Sequence, residues 1–382
     1  MAVSSNNFSG KLTINLGAIV KNYNALNMIS ANSLTGAVVK ADAYGTGMLP
    51  VASALNKAGA KFFFVATPNE AITLRAELKD VHIFVFNGLY PGASEIYHQH
   101  NIMPILNSPS QLEEWLAFCL SKNEALPAAL HFDTGMGRLG FRMNDVDWVK
   151  EKIIKVGFAP QMLMSHLACA DQPSHEKNRT QLILFKSLAA QFPSVPASLA
   201  NSAGTMNGVE NHFQMVRPGI SLYGGRAVNG RKNPMSPVVK LEVPLLQVIE
   251  CKAGESIGYG STYTLDKNSQ VAILAHGYAD GFLRSLGGTN RRAGGRVVIG
   301  NKILPVIGRV SMDLIAVDVT ELYGKIPAPG EMVEVLGKTI GVDEQADLAG
   351  TIGYEILTSL KGRYKRHYIP PPNISFAAKT NI

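Results

Sequence analysis

The sequence predicts an α/β chain in which an N-terminal (β/α)8 barrel is followed by a mostly β C-terminal domain. Eight short apolar runs recur along the first 216 residues, and most segments between them carry apolar residues at helical spacing. Strands that alternate with helices specify a parallel sheet, and eight such units match a closed barrel. Beyond Asn229 the texture changes: strand signals dominate and helical ones become sparse.

The first clear segment, residues 16–29, spaces Ile19, Tyr23 and Leu26 along one helical face. The eight runs that follow centre on residues 37–39, 62–66, 82–86, 102–106, 128–132, 162–165, 197–200 and 214–216. The clearest helices between them are predicted over 49–58, 68–79, 110–120, 146–156 and 176–191, with Pro68 and Pro91 placed where a proline can open a helix. An open doubly wound sheet is the alternative. It more typically carries a phosphate-binding glycine turn after its first strand, and Gly45-Thr46-Gly47 lacks the remaining spacing. The stretch from Asn229 to Pro237, with two prolines, reads as a linker between a barrel over 1–232 and a β domain over 233–382. In that domain strands are predicted over 238–250, 270–276, 296–310, 314–319 and 332–336, with Gly300-Asn301 as a hairpin turn.

Of 382 residues, 46% are hydrophobic and 17% charged, the balance of an ordinary globular protein. No apolar run approaches the roughly 20 residues of a membrane span, and the polar N-terminus lacks the apolar core of a signal peptide. Cys119, Cys169 and Cys251 are odd in number and far apart, so neither a disulfide frame nor a zinc site is indicated. A reducing cytoplasm is the expected location, and no metal is expected. The net charge of +7 raises the question of a nucleic-acid partner. The basic residues are scattered, however, and the one dense run, 361–367, reads as a solvated surface, so none is expected. A cleft that attracts small anions accounts for the excess equally well.

Barrel enzymes collect their chemistry at the C-terminal ends of the strands. The first run ends in Lys40, inside Val39-Lys40-Ala41-Asp42-Ala43-Tyr44-Gly45. At the end of a buried strand its amine is partly desolvated, which lowers its pKa and suits Schiff-base chemistry. The plain alternative is a lysine that snorkels to water. The fifth run leads into Asp133 to Gly140 with Arg138, and the sixth into His166. The seventh leads into Asn201-Ser202-Ala203-Gly204 and the eighth into Arg217-Pro218-Gly219-Ile220. Ser202 with the backbone N–H groups of Gly219 and Ile220 would occupy the phosphate position common to this fold, although Ser202 alone reads equally well as a helix cap. A lysine, arginines, a histidine and a phosphate cradle at successive strand ends fit a phosphate-bearing carbonyl cofactor that traps an amine. Pyridoxal phosphate is the obvious candidate.

Together with Asp133 to Phe141, Ser165-His166-Leu167, Gly277-Tyr278-Ala279-Asp280-Gly281 and Arg309-Val310-Ser311-Met312-Asp313, these motifs make the sequence resemble the alanine racemase family over nearly its whole length. The resemblance implies that Lys40 carries pyridoxal phosphate and serves as one of two acid–base groups. The other is Tyr278, which the β domain, with Met312, supplies to the partner's site in a head-to-tail homodimer. The resemblance further implies that Tyr44, Ser202, Gly219, Ile220 and Tyr354 hold the phosphate, Arg138 the phenolic oxygen and Arg217 the pyridine nitrogen. The backbone N–H of Met312 would bind the substrate carboxylate, Arg138 would also face the substrate, and Asp313 would line the entrance.

Racemisation removes the α-proton from one face and returns one on the other, so two opposed bases are required. Tyrosine titrates near roughly 10 in isolation; a charged Arg217–His166 chain beside Tyr278 would favour the phenolate. An arginine at the pyridine nitrogen keeps that atom unprotonated, which weakens the electron sink and suits proton exchange without side reactions. One position departs from the family pattern. Many members carry a lysine, modified to a carbamate, two residues before the aspartate of Asp133-Thr134-Gly135-Met136, and here that residue is His131. A chloride near His131 and Arg138 is expected to supply the missing negative charge. The expected activity is the interconversion of L-alanine and D-alanine, with D-alanine destined for peptidoglycan. The alternatives are a racemase of wider substrate range, a same-fold decarboxylase and a non-catalytic pyridoxal-phosphate-binding protein. The tyrosine motif at 277–281 argues against the decarboxylase, and the β domain with Tyr278 and Met312 against the binding protein.

Overall fold

The computed structural model describes residues 10–30, 32–323, 325 and 327–372. They fall into two compact units, one of residues 19–43 and 47–235, the other of residues 10–18, 44–46 and 236–372.

After β1 (Gly10–Asn15) and α1 (Leu16–Ile29), the first barrel strand is split by Gly36 into β2 (Leu34–Thr35) and β3 (Ala37–Val38). Only glycine fits the break, because a Cβ there would lie 2.5 Å from the Phe64 ring. Six strands follow, each parallel to the one before: β4 (Phe62–Val65), β5 (His82–Val85), β6 (Met103–Leu106), β7 (Ala129–His131), β8 (Met162–Met164) and β9 (Ala197–Ser198). β10 (Met215–Val216) closes the ring. It pairs in parallel with β2, while the flanking N–H groups of Gln214 and Arg217 donate to the carbonyls of Ala197 and Ala200 at 3.1 and 2.9 Å. All eight apolar runs therefore became strands, each shorter than its run by a residue or two.

The intervening helices are α2 (Lys40–Gly45), α3 (Met48–Lys57), α4 (Pro68–Glu77), α5 (Ser94–Gln99), α6 (Pro109–Lys122), α7 (Val146–Val156), α8 (Glu176–Ala190) and α9 (Ser202–Asn207). Their sequences say why they start and stop. Thr67 caps α4 in a capping box with Glu70 and Pro68 follows it, whereas Ser108 caps α6. α7 buries Val146, Val149 and Ile153 and ends on the left-handed Gly157. Pro91 does not open a helix: α5 begins three residues later, behind Ala93.

The other unit carries β11 (Val239–Cys251), β12 (Ser256–Ile257), β13 (Tyr263–Thr264), β14 (Ser269–Leu274), β15 (Arg296–Ile299), β16 (Lys302–Ile307), β17 (Ile315–Asp318), β18 (Met332–Leu336), α10 (Val342–Ala349), α11 (Gly353–Thr358) and β19 (Tyr364–Ile369). β11 organises it. Register shifts at Leu241/Glu242 and Leu245/Gln247 let this long strand pair first with β18 and then with β14, so that β14, β17, β16, β15, β18 and β11 form a closed circuit. Gly300-Asn301 makes the expected hairpin, with Ile299 opposite Lys302.

Besides the two-residue β12 and β13, two longer strands lie outside the sequence expectation. β1 pairs antiparallel with β11 and parallel with β19, and so groups with the β sheet although it precedes the barrel. β19 occupies most of the basic run read as solvated surface. Its Tyr364 is buried while Lys365 is exposed, the alternation of a half-covered strand. No described helix is long and apolar enough to cross a membrane, and the three cysteines are free thiols.

Candidate active site

Lys40 opens α2 directly behind the first barrel strand, as expected. The turn it begins is left-handed: Ala41, Asp42, Ala43 and Tyr44 have φ of 53°, 54°, 52° and 55°. Such a conformation costs an L residue roughly 1–2 kcal/mol, so four in a row need firm support. The Ala43 N–H donates to the Val39 carbonyl at 2.9 Å and the Gly47 N–H to that of Asp42 at 2.8 Å. Asp42 Oδ1 accepts from the Met48 N–H at 2.8 Å, and Glu70 Oε1 accepts from the Ala41 N–H at 2.7 Å. Glu70 is fixed in turn, its Oε2 accepting from the Ala66 and Thr67 N–H groups at 2.8 and 3.2 Å. Lys40 Nζ stands 5.6 Å from the centre of the Phe86 ring. Burial and the charge of Arg138 push the amine below its ordinary pKa, and Glu70 works against them.

After β10, Arg217 is buried, and burial pushes its guanidinium down to about 9. Its Nη1 donates to Ser198 Oγ and its Nη2 to the carbonyls of Ser165 and Leu199 at 2.6 and 3.5 Å, while Nε is buried without a partner. Ser202 is not a cap: Asn201 caps α9, its Oδ1 accepting from the Gly204 N–H at 2.9 Å. Ser202 Oγ instead accepts from the N–H groups of Gly219 at 2.9 Å and Ser221 at 3.3 Å. The Gly219 N–H, expected to be a free phosphate donor, is thus directed at the serine, and the two form one linked cradle with the buried Ile220. Ser221 Oγ lies in the same segment, buried and without a partner.

The loop after β7 is built on Asp133. Its Oδ1 accepts from the N–H groups of Gly135, Met136 and Gly137 at 2.9, 2.7 and 3.1 Å, and its Oδ2 meets Arg142 Nη1 at 2.7 Å. The Phe141 N–H closes the loop on the His131 carbonyl at 2.8 Å. Arg138 stands exposed on this loop, with no hydrogen bond or ion pair among the described residues. His131 is buried, its Nδ1 2.7 Å from Asn107 Oδ1. Burial, then Arg217 and Arg138, push its pKa down to about 3, against the pull of Asp133. His166 is held uncharged in the same way, by burial first and then by Arg217, Arg138, His131 and Lys40. The charged Arg217–His166 chain expected from the sequence is therefore corrected. The histidine is neutral, and the Nη donors of Arg217 go to Ser198, Ser165 and Leu199.

In the other unit the two motif loops lie side by side. The Tyr278 N–H donates to the Ser311 carbonyl at 3.1 Å and the Ala279 N–H to the Met312 carbonyl at 2.9 Å. A Cβ at Gly277 would overlap the Met312 carbonyl, so glycine is what allows this approach. Tyr278 and Met312 keep 40% and 52% of their surface exposed, which leaves both side chains available to a further partner. Asp313 is tied to Arg363 Nη1 at 2.5 Å, and the same nitrogen reaches Asp280 Oδ1 at 3.4 Å. The rings of Tyr44 and Tyr354 meet at 5.9 Å. Among the described residues no His, Cys, Asp and Glu cluster could hold a metal ion.

The sequence reading missed three residues that fix this geometry. Asn107 directly follows the fourth apolar run, where a search of strand ends could have found it. Glu70 completes the Thr67-to-Glu70 capping box, and Arg363 was hidden in the basic run.

A closed parallel barrel with a desolvated lysine at its first strand end, joined to an antiparallel β unit bearing an exposed tyrosine loop, defines a barrel-plus-β-domain enzyme of the lysine-dependent class. Profiles described as "Alanine racemase, N-terminal domain" and "Alanine racemase, C-terminal domain" match residues 14–227 and 238–368. The chain belongs to the alanine racemase family. It is 41% identical over 366 residues to "Alanine racemase, biosynthetic" of Agrobacterium fabrum, a match spanning 94% of this chain and 93% of that one. It is also 41% identical over 377 residues to "Alanine racemase, catabolic" of the same organism, with 98% and 96% covered. Among solved structures, the alanine racemase of Bartonella henselae with covalently bound pyridoxal phosphate aligns with a TM-score of 0.89 at 39% identity, over 94% of this chain and 99% of that one.

Proposed function

We propose that the chain is a pyridoxal-phosphate-dependent racemase that interconverts L-alanine and D-alanine. The observation that carries this reading is Lys40, an amine held below its ordinary pKa by burial and Arg138 at the end of a barrel strand. The surrounding residues fit the cofactor. The unpartnered Arg217 Nε suits an acceptor such as a ring nitrogen, and the Ser202 cradle with the unpartnered Ser221 Oγ suits a phosphate.

When bound, pyridoxal phosphate supplies the electron sink that acidifies the amino acid's α-proton. Lys40 Nζ binds it and takes or returns that proton on one side, and Tyr278 Oη does so on the other. Ser202, its Oγ braced by the Gly219 N–H, would hold the phosphate with Ile220, Tyr44 and Tyr354. Arg217, its Nη donors committed to Ser198, Ser165 and Leu199, presents Nε–H to the ring nitrogen and keeps its proton there. The neutral His166 beside it adds no charge of its own. Arg138 binds the phenolic oxygen and faces the substrate, whose carboxylate the Met312 N–H takes, while Asp313, braced by Arg363, lines the entrance.

The barrel binds the cofactor, and the β domain supplies Tyr278 and Met312 to the partner's site in a head-to-tail homodimer. The enzyme works in the cytoplasm, and its D-alanine is destined for peptidoglycan. A chloride near Arg138 and His131 would add a negative charge there, but the neutral imidazole offers it no proton.

The test is to incubate the purified protein and pyridoxal phosphate with L-alanine in heavy water, then resolve the enantiomers and examine the α-position. D-alanine carrying α-deuterium is the expected result. No D-alanine despite bound cofactor would refute the reading and redirect it to another amino acid or a non-catalytic carrier.

A further inference from the structure

We propose that His131 positions Arg138 by acting as a neutral hydrogen-bond acceptor, and that Asn107 fixes the tautomer that makes it one. The proposal rests on the racemase reading for the roles given to Arg138 and to the Nε–H of Arg217. The tautomer follows from a chain of contacts. Asn107 Nδ2 donates to the carbonyls of Phe86 and Ile105 at 3.0 and 2.7 Å. Its Oδ1 is therefore the atom 2.7 Å from His131 Nδ1. Turning the amide over would set its oxygen against two carbonyl oxygens. An acceptor at Oδ1 requires a proton on Nδ1, which leaves a lone pair on Nε2.

That Nε2 is buried and has no partner. A buried acceptor left unsatisfied costs about 1–3 kcal/mol, so the position favours any donor that can reach it. The charged groups facing the ring are Arg217, Arg138 and Asp133. Asp133 is an acceptor already serving three backbone N–H groups and Arg142; the Nη donors of Arg217 are committed elsewhere, and its unpartnered Nε–H is the donor that the racemase reading assigns to the cofactor's ring nitrogen. Arg138 remains: up to five N–H donors, no hydrogen bond or ion pair among the described residues, on a loop whose end is fastened to the His131 carbonyl. A guanidinium that donates one N–H to Nε2 is oriented with its other donors free. The same Asn107 that sets the tautomer also holds the carbonyl of Phe86, whose ring lies by Lys40 Nζ, so one buried amide serves both strand ends.

Chloride would require the opposite. To bind it the ring needs a proton on Nε2, and the resulting imidazolium would be a further positive charge buried between Arg138 and Arg217. The acceptor arrangement buries no added charge.

Nitrogen-15 histidine spectra of the holoenzyme give the direct test, recorded from about pH 5 to 9 across the ordinary histidine range, in chloride and in sulfate. The proposal expects one His131 resonance pair of the Nδ1–H neutral form, the same in both salts. A doubly protonated ring at neutral pH, or one that changes with chloride, overturns it. In parallel, His131→Leu removes the acceptor and His131→Gln keeps one. The proposal expects Leu to lower kcat by about 100-fold with KM little changed, and Gln to restore most of it, as a misplaced group does. It also expects the Leu variant, with its cofactor retained, to move the pH-dependent absorbance transition of that cofactor upward as Arg138 loses its hold. Leu and wild type alike in both readouts overturns the proposal. If wild type yields no D-alanine at all, the racemase reading fails while the spectra and the absorbance transition still decide the role of His131.

Discussion

At Lys40, burial and Arg138 push the amine toward neutrality and Glu70 pulls it back. Glu70→Gln keeps an oxygen for the Ala41 N–H but removes the negative charge that favours the ammonium. The folded-state pKa of Lys40, already depressed, then falls further. Uptake of pyridoxal phosphate by the apoprotein needs the free amine, so its half-maximal rate moves to lower pH in the variant, measured by stopped-flow absorbance. A shift to higher pH would mean that the carboxylate acts on the amine through geometry alone. Residue types at this scale were legible: lysine, arginine, serine and tyrosine stand where the strand ends put them. Protonation was not. The neutrality of His131 and His166 comes from burial and from cations distant in sequence, Arg138 and Arg217, which no local pattern reveals.

The element that carries Lys40 shows a second limit. Small residues after the lysine announce a turn, yet nothing in Ala41-Asp42-Ala43-Tyr44 announces a left-handed one, because composition carries no sign of φ. Gly45 closes the turn at φ 77°, where a Cβ would overlap the Leu357 carbonyl. Gly45→Ala is therefore expected to lower stability by about 1–3 kcal/mol, read as a lower urea midpoint at unchanged m value. The control is Ala41→Gly, at an exposed left-handed position, which should be neutral or stabilising. Equal effects from both would show that handedness is not what the glycine serves. The barrel helices of ten residues or more, α3, α4, α6, α7 and α8, were by contrast readable to within two residues, since caps such as Thr67 and Ser108 and stripes such as Val146, Val149 and Ile153 are local; the six-residue α2, α5 and α9 were not foreseen.

For the whole molecule, alternation of eight apolar runs with helices was enough to foresee the barrel, and dense Val and Ile beyond residue 238 the β unit. Besides the short β12 and β13, what escaped were β1 and β19. Each is paired mainly by long-range partners, and β19 carries the charges that normally mark a solvated face. Long-range pairing also placed Arg363 against Asp280 and Asp313, steadying the loops of Tyr278 and Met312. Both of those side chains remain half-exposed within one chain, which the proposed role in a partner's site requires.

The central claim is that Lys40 of one protomer and Tyr278 of its partner share one reaction. Heterodimers of a Lys40→Ala chain and a Tyr278→Phe chain, differently tagged and co-expressed, test it most directly. Each homodimer should be inactive toward L-alanine. The heterodimer contains one site with both changes and one with neither, so it should recover about half the wild-type activity, as two-fold symmetry requires. A heterodimer as inactive as the two parents would contradict the shared site, and an active Tyr278→Phe homodimer would contradict the two-base assignment itself.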